Sequence, residues 1–250
     1  MKAMILAAGL GTRLRPLTND RPKALVEVGG RTMLEITLGR LRHFGIRDVI
    51  VNVHHFADMV VDYLNKKNNF NMHVEISIED ELLDTGGGLK KAAWFLNASG
   101  QNGEEDSFVL HNVDVLSSID LERMIVAHHK NQALATLAVQ DRETSRYLLF
   151  DDRQQLCGRQ AGRDRSLELV RTTTPVHARA FSGIHIISPR LFAVMSEQGA
   201  FSIIDAYLRL PGQGEKIMAF AADQYYWRDL GHRENVAQAE KDISNKLVSA

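Results

Sequence analysis

The residues best suited to chemistry lie near the start of the chain, where positions 7–25 read AAGLGTRLRPLTNDRPKAL. Gly9 and Gly11 directly follow an apolar run. Glycines in such a place let the backbone approach a ligand and direct several N–H groups at phosphate oxygens. Arg13 and Lys23 supply positive charge, and two prolines limit the freedom that these cations would lose on binding. The stretch therefore predicts a site for a polyphosphate.

This glycine pattern differs from the two best-known phosphate-binding loops. A dinucleotide fingerprint requires a glycine where Leu14 stands, and a P-loop ends in Gly-Lys followed by Ser or Thr, an ending that this stretch lacks. A solvated turn that carries ordinary surface charges is the alternative that composition leaves open.

A second cluster of glycines lies within DTGGG at positions 84–88. It falls between a predicted strand and a predicted helix, and three successive glycines are unfavourable inside either element. We therefore expect a loop whose backbone a ligand approaches closely. The alternative is a helix N-terminus that needs a tight entry.

Two aspartates are candidates for holding a metal ion. Asp114 lies just past a predicted strand, and Asp229 lies just ahead of the last predicted helix. Parallel sheets place ligands at the carboxyl ends of their strands, so both carboxylates are expected to face one crevice. Mg²⁺ is typically held by one or two carboxylates with phosphate oxygens and water. A turn or cap role is the ordinary alternative for an aspartate after a strand.

The elements that must position these residues alternate along the chain. We predict strands at 3–8, 48–53, 73–78, 107–111, 134–139, 179–187 and 216–220, and helices at 32–44, 56–66, 87–96, 120–131, after Pro189, at 202–209 and at 232–248. Such alternation indicates βαβ units, an α/β fold and a mostly parallel sheet. The region 141–175 breaks the pattern and is expected to form a lid or an antiparallel edge.

Composition excludes several classes of protein. The 250 residues carry 30 Lys plus Arg against 31 Asp plus Glu, a formal net charge of −1, so no broad basic field is present for nucleic acid. No apolar run approaches the roughly 20 residues that cross a bilayer. The single Cys157 and the lack of export-signal features in the first residues predict a cytoplasmic protein without nucleic-acid or membrane partners.

Residues 9–18 and 22–25 resemble the signature of the sugar nucleotidyltransferases, Gly-x-Gly-Thr-Arg-Leu-x-Pro-Leu-Thr followed by Pro-Lys-Ala/Pro-Leu. The resemblance implies a Rossmann-like fold of the nucleotide-diphospho-sugar transferase type. It also implies transfer of a nucleoside monophosphate from a triphosphate to a sugar 1-phosphate, with Mg²⁺ and release of pyrophosphate. The expected organisation is one domain, 1–250, with a nucleotide-binding part at about 1–115 and a sugar-binding part at about 116–250.

The same resemblance implies roles for individual residues. Arg13 is expected beside the departing pyrophosphate, and Lys23 at the phosphate under attack. The residues expected to bind the nucleotide are Ala7, Ala8, Gly9, Gly11, Thr12, Arg13, Lys23, Thr85, Gly86 and Gly87. Asp114 matches the aspartate of the family's Asn-Gly-Asp motif, and Asp229 matches that of its Trp-x-Asp-x-Gly motif, so both are expected to bind the metal.

The sugar side departs from the family pattern in two places. Phe-Ser-Gly-Ile at 181–184 resembles the strand that lines the sugar pocket, which implies that Gly183 and Asn112 contact the sugar. The first motif, however, has Val113 where the family has glycine. The Glu-x-Lys-Pro segment, whose lysine holds the sugar phosphate in many relatives, is replaced by LELVRTTTP. Arg146 and Arg171 are the candidate substitutes for that lysine.

The Thr-Gly-Gly-Gly form and the chain length resemble two branches of the family. The first transfers uridylyl groups to N-acetylmuramate 1-phosphate, and the second transfers guanylyl groups to mannose 1-phosphate. A sensor that binds a sugar nucleotide without making one is an alternative, as is transfer to a non-sugar acceptor such as phosphocholine. The sequence makes no prediction of oligomeric state.

Overall fold

The structure is a computed structural model that describes residues 1–97, 107–161 and 166–248. Its strands are β1 Lys2–Leu6, β2 Glu27–Val28, β3 Arg31–Thr32, β4 Asp48–Val53, β5 His73–Ile78, β6 Phe108–Asn112, β7 Val115–Ser117, β8 Ala135–Gln140, β9 Arg146–Phe150, β10 Leu156–Ala161, β11 Ser166–Leu169, β12 His177–Ile187, β13 Ile217–Ala221 and β14 Trp227–Asp229. Its helices are α1 Met33–His43, α2 Ala57–Lys66, α3 Asp84–Lys91, α4 Ala93–Leu96, α5 Leu121–Asn131, α6 Leu191–Val194, α7 Ile203–Arg209 and α8 Arg233–Ser244.

Within the described residues, ten strands form one mixed sheet in the order β11-β10-β9-β12-β6-β1-β4-β5, and β8 and β13 continue from β12. Strands β6, β1, β4 and β5 run parallel. The first half of β12 pairs antiparallel with β9, and its second half pairs antiparallel with β6. The α/β fold predicted from the alternating elements is confirmed, and the region after residue 141 forms an antiparallel edge.

Helices cover both faces of the parallel strands. Along β1, Ala3 and Ile5 pack into a core with α1, α2 and α8, whereas Met4 packs into a second core with α3, α4 and α7. Because successive side chains of a strand point to opposite faces, a strand covered on both sides reads as a continuous apolar run. None of the helices in the described residues combines the length and the apolar character that crossing a bilayer requires.

Helix α1 begins and ends where the sequence predicts. The Thr32 side chain accepts a hydrogen bond from the backbone N–H of Glu35 at 3.1 Å, which satisfies one of the free donors of the first turn. Gly45, with φ of +74°, follows the last turn in the left-handed conformation that favours glycine. The predicted final helix, in contrast, stops at Ser244 rather than continuing to residue 248.

The loop predicted for the second glycine cluster is wrong, because all three glycines lie inside α3, which begins at Asp84. Close packing is the physical reason for these glycines. A Cβ atom on Gly86 would lie 2.2 Å from Cε2 of Phe201, and one on Gly87 would lie 2.4 Å from the backbone oxygen of Gly199. The tight helix entry that the sequence left as an alternative is therefore the better interpretation.

Candidate active site

Three parallel strands end at the same level and create the edge on which the site is built. Leu6, the last residue of β1, is in register with Asn52 of β4 on one side and with Asn112 of β6 on the other. A cavity of about 480 Å³ opens there. Its lining includes Ala7, Ala8, Gly9, Lys23, Asn52, Glu79, Leu82, Asp84, Thr85, Asn112, Val113 and Asp114. This is the edge at which open α/β sheets bind ligands.

Buried polar side chains hold the start of the glycine-rich loop. The backbone N–H of Ala7 donates to Oδ1 of Asn52 at 2.7 Å, and Nδ2 of Asn52 donates to Oε1 of Glu79 at 2.6 Å. The other oxygen of Glu79 accepts a bond from the N–H of Leu83, just ahead of α3. Asn52 and Glu79 were not predicted from the sequence, although a polar residue in the otherwise apolar segment VIVNV was an available signal.

Gly11 turns the loop back over itself. Its φ is +64°, its carbonyl accepts a hydrogen bond from the hydroxyl of Thr18 at 2.8 Å, and a Cβ atom there would lie 3.0 Å from Cγ2 of Thr18. Gly9, in contrast, has open space around it. Thr12 and Arg13 follow in a short 3-10 helix, Thr12–Leu14, and both are exposed.

A short pair of strands brings the two aspartates together. β7 follows Asp114 and pairs antiparallel with β14, so that Asp229 is in register with Val115. The N–H of Leu230 donates to the backbone oxygen of Asp114 at 2.7 Å. A Cβ atom on Gly231 would lie 2.8 Å from Oδ1 of Asp229 and 3.3 Å from Oδ2 of Asp114. The two carboxylates therefore converge on one point beside Gly231.

The two cations of the glycine-rich loop reach the same point. Lys23 forms an ion pair with Oδ2 of Asp114, and both side chains are largely buried. Nη2 of Arg13 would lie 2.9 Å from a Cβ atom on Gly231, and Nη1 of Arg13 donates to Nε2 of His232 at 2.8 Å. The structure thus joins positive groups from the start of the chain with negative groups from its middle and end.

These groups suit Mg²⁺ together with a polyphosphate. Mg²⁺ prefers oxygen ligands and is usually bound by one or two carboxylates, with phosphate oxygens and water completing the shell. Asp114 and Asp229 present carboxylate oxygens to the same space, beside cations that can neutralise phosphate. The donor set therefore fits the metal that the sequence predicts.

The glycine in β12 lets that strand approach the site. The pairing of β12 with β8 is irregular between Phe181 and His185, and Gly183 lies within this interval with φ of +75°. A Cβ atom on Gly183 would lie 2.9 Å from Nδ2 of Asn112. Gly183 and Asn112, both predicted to contact a sugar, are thus adjacent.

The valine that departs from the family's glycine fits its position. Val113 is 2% exposed, packs into the core that contains α1, and has a φ outside the left-handed region. Its N–H donates to the carbonyl of Leu6 at 3.1 Å. The conformation at this position therefore does not require glycine.

The predicted nucleotide residues of α3 differ in their surroundings. Thr85 lines the cavity, and its hydroxyl accepts a bond from the N–H of Ile203 at 3.0 Å. Gly86 and Gly87 are buried where α3 meets residues 199–201, and the N–H of Gly86 donates to the carbonyl of Phe201.

Neither of the two arginines proposed as substitutes for the family's lysine lines the cavity, and Arg142 does not line it either. Arg146 is exposed at the start of β9. Arg171 forms an ion pair with Asp151 at 3.3 Å, beside the turn between β9 and β10. Arg142, which was not predicted from the sequence, follows β8 and places its guanidinium carbon 3.7 Å from the centroid of the Trp227 ring. The available signal was an arginine two residues past a strand end.

Burial lowers the pKa of two groups near the site. Burial shifts the pKa of the Arg142 guanidinium downward, and the negative charge of Asp229 opposes that shift. Burial also lowers the pKa of His111 to about 4, with a further contribution from the positive charge of Arg40. Nδ1 of His111 donates to the carbonyl of Asn112 at 2.8 Å, so a neutral imidazole supports the end of β6.

Together the fold and the site define an α/β protein in which the parallel strands end at a cavity beside paired carboxylates and cations, the place where open α/β sheets bind ligands. The chain matches the model of the nucleotidyl transferase family over residues 2–154 and belongs to that family. The resemblance found in the glycine-rich stretch is thereby confirmed.

Similar proteins extend this result to the whole chain. N-acetylmuramate alpha-1-phosphate uridylyltransferase of Caulobacter vibrioides is 33% identical, over 97% of this chain and 96% of that protein. D-glycero-alpha-D-manno-heptose 1-phosphate guanylyltransferase of Aneurinibacillus thermoaerophilus is 26% identical, over 99% of this chain and 100% of that protein. The crystal structure of HddC from Yersinia pseudotuberculosis complexed with GMP-PN is similar with a TM-score of 0.75 and 24% identity, covering 97% of this chain and 99% of that chain. That likeness confirms the fold.

Proposed function

We propose that this protein transfers a nucleoside monophosphate from a nucleoside triphosphate to a sugar 1-phosphate. The observation that carries the proposal is the convergence of Arg13, Lys23, Asp114 and Asp229 beside Gly231, at the carboxyl ends of the parallel strands. Membership of the nucleotidyl transferase family supports the same reaction type. In this proposal residues up to about 115 bind the nucleotide, and residues from about 116 onward bind the sugar.

The reaction is a displacement at phosphorus. A phosphate oxygen of the sugar 1-phosphate forms a bond to the α-phosphorus of the triphosphate, while the bond from that phosphorus to the bridging oxygen breaks and pyrophosphate leaves. Because both reactants are anions, alignment and charge neutralisation are what the protein must supply. Lys23 is the cation for the attacked α-phosphate, and Arg13 is the cation for the leaving pyrophosphate.

Asp114 and Asp229 are the proposed ligands of Mg²⁺, together with phosphate oxygens of the triphosphate. When bound, the ion neutralises charge on the phosphates and orients them. Lys23 contacts Asp114 directly, so a bound triphosphate competes with Asp114 for the ammonium group. A phosphate oxygen that accepts from Lys23 leaves the Asp114 carboxylate available to a cation.

UTP and N-acetylmuramate 1-phosphate are the proposed substrates. The support is the uridylyltransferase that is 33% identical along almost its whole length. Guanylyl transfer is the second candidate, because a heptose 1-phosphate guanylyltransferase is 26% identical along its full length.

The test combines each of UTP, GTP, CTP and dTTP with each of the 1-phosphates of N-acetylmuramate, mannose, heptose and glucose in the presence of Mg²⁺. The rate of pyrophosphate release is measured for every pair. Fastest release with UTP and N-acetylmuramate 1-phosphate is the expected result. Fastest release with GTP would overturn the uridylyl assignment. Adding phosphocholine to the panel tests a non-sugar acceptor.

Matched variants test the site itself. Asp114→Asn and Asp229→Asn remove one negative charge each with little change in shape, and we expect both to lose pyrophosphate release while still folding. Asp152→Asn, at an exposed position in the turn after β9, is the control and should retain wild-type activity. Protein that binds sugar nucleotides but releases no pyrophosphate with any pair would instead be a sensor.

A further inference from the structure

Arg142 lies at the proposed sugar side of the site, and no carboxylate of the described residues pairs with it. Its Nη2 donates to the backbone carbonyl of Phe181 at 2.7 Å, whereas its Nε is buried without a hydrogen-bond partner. Within the described residues it forms no ion pair, unlike Arg171 with Asp151. A half-buried guanidinium without a counter-ion has lost part of its hydration, and no ion pair offsets that loss of free energy. Such a group is well suited to an anionic ligand.

The surroundings of Arg142 fix its orientation. Its guanidinium stacks on the ring of Trp227 at 3.7 Å, and Nε1 of Trp227 donates to the carbonyl of Ser182 at 2.7 Å. Cation–π stacking of this kind stabilises a planar cation in one orientation. Phe181 and Ser182 belong to the irregular part of β12 that also contains Gly183. The guanidinium is therefore held by backbone and ring contacts of the predicted sugar strand.

Arg142 also lies close to the proposed metal ligands. Trp227 and Asp229 are two residues apart on β14, so their side chains project from the same face of that strand. The negative charge of Asp229 raises the pKa of Arg142, although the described side chains of the two residues do not form an ion pair. An anion bound by Arg142 would thus lie beside the face of β14 that carries Asp229, next to the β12 segment that contains Gly183.

We propose that Arg142 binds the phosphate of the acceptor, the sugar 1-phosphate, in place of the lysine that the missing Glu-x-Lys-Pro segment would supply. Trp227 is a positioning residue for it. This inference rests on the proposed function. It assigns to Arg142 the phosphate-binding role for which the sequence offered Arg146 and Arg171 as candidates. Guanidinium groups suit this task because their planar donors match two phosphate oxygens at once.

The test compares Arg142→Met and Arg142→Lys with the control Arg153→Met, which removes an exposed arginine in the turn after β9. Hydrogen bonds to charged groups are strong enough that Arg142→Met should raise KM for the sugar 1-phosphate by roughly 10- to 100-fold. KM for the triphosphate should change little, and Arg142→Lys should recover part of the loss. Arg153→Met should match the wild type.

Direct binding separates this inference from the proposed function. Calorimetric titration with the sugar 1-phosphate that the wild type uses best should show weaker binding to Arg142→Met, with unchanged thermal stability. Wild-type turnover with an unchanged sugar 1-phosphate KM in Arg142→Met would overturn the assignment of Arg142 alone. An equal rise in both KM values would do the same, because it indicates a structural role. A wild type that neither binds nor uses any sugar 1-phosphate would overturn both proposals.

Discussion

At the scale of single residues, each carboxylate of the site lies next to a positively charged side chain. Lys23 neutralises Asp114, and Arg13 lies beside Asp229 across Gly231. Placing like charges side by side is costly, so alternating cations and carboxylates let the largely buried Lys23 and Asp114 share a small space with the less buried Arg13 and Asp229. Binding a triphosphate with Mg²⁺ adds anions for the cations and a cation for the carboxylates. Each of the four groups would therefore keep an opposite charge beside it when the proposed substrates bind.

The first prediction concerns Arg13. Pyrophosphate gains negative charge as the bond to the α-phosphorus breaks, so a cation beside it stabilises the transition state more than the bound triphosphate. Arg13→Ala should lower kcat by about 100-fold, the order seen when one such donor is removed, with a smaller change in KM for the triphosphate. Steady-state release of pyrophosphate measures both constants.

Arg21→Ala is the matched control for this change. Arg21 belongs to the same loop, is exposed, and forms an ion pair with its neighbour Asp20 rather than with a site residue. Such surface pairs contribute little, so its kinetics should match the wild type. If Arg13→Ala kept wild-type kcat, Arg13 would have no part in the chemical step.

At the scale of elements, α3 shows how glycine can serve packing. The N–H of Gly86 donates to the carbonyl of Phe201, and the N–H of Phe201 donates to the carbonyl of Leu83, so the helix start is tied to the segment before α7. This approach is possible only without a side chain at Gly86. Glycine lowers helix stability by about 1 kcal/mol relative to alanine, and the close contact offsets that cost. Thr85, which lines the cavity, is positioned by the same contact.

The second prediction compares two helical glycines. In Gly86→Ala the new methyl would lie 2.2 Å from the Phe201 ring, and overpacking of this kind costs about 1–3 kcal/mol of unfolding free energy. Gly39→Ala places a methyl in open space within α1, so it should raise the unfolding free energy by about 0.4–1 kcal/mol. Urea unfolding measures both values. Equal effects of the two changes would contradict the packing explanation.

The sequence predicts long elements better than short ones. β4, with six residues and strong apolar character, matches the predicted bounds 48–53. β7 and β14 have three residues each, too few for a periodic pattern, although their pairing brings Asp114 and Asp229 together. The glycines of α3 were wrongly predicted to form a ligand-binding loop. The sequence shows that side chains are absent there, but it does not show that Phe201 and Gly199 pack against the backbone. Arg142 was missed because its partner, Trp227, lies far along the chain.

At the scale of the whole molecule, β12 joins the two halves of the fold. Its residues Ile184–Ile187 pair with β6, beside the parallel strands, and residues His177–Ala180 pair with β9 of the antiparallel edge. His185 of β12 is in register with Leu110, and its neighbour Ile184 with His111. Two completely buried histidines thus lie in adjacent strands at the centre of the sheet.

Burial makes these histidines sensitive to acid. It lowers the pKa of His111 to about 4 and that of His185 to about 3; the positive charge of Arg40 lowers the pKa of His111 further, and that of a protonated His111 lowers the pKa of His185 further. Burial also lowers the pKa of His128 to about 4. In the unfolded chain each has an ordinary pKa near 6.5. Below that value the unfolded state binds more protons than the native state, so stability falls as the pH decreases from about 6.5 towards 4.

The buried histidines should therefore make the protein less stable in acid. A pKa lowered from 6.5 to about 4 corresponds to roughly 3 kcal/mol, and one lowered to about 3 corresponds to roughly 5 kcal/mol. Domains have only about 5–15 kcal/mol in total, so the three histidines together should destabilise the protein strongly as the pH falls towards 4. His128→Asn should make the unfolding free energy less dependent on pH between 6.5 and 4, whereas His55→Gln, at an exposed position, should not. Urea unfolding across that range is the measurement. An unchanged slope in His128→Asn would mean that His128 does not contribute to the acid sensitivity, because its protonation would then not differ between the folded and unfolded states.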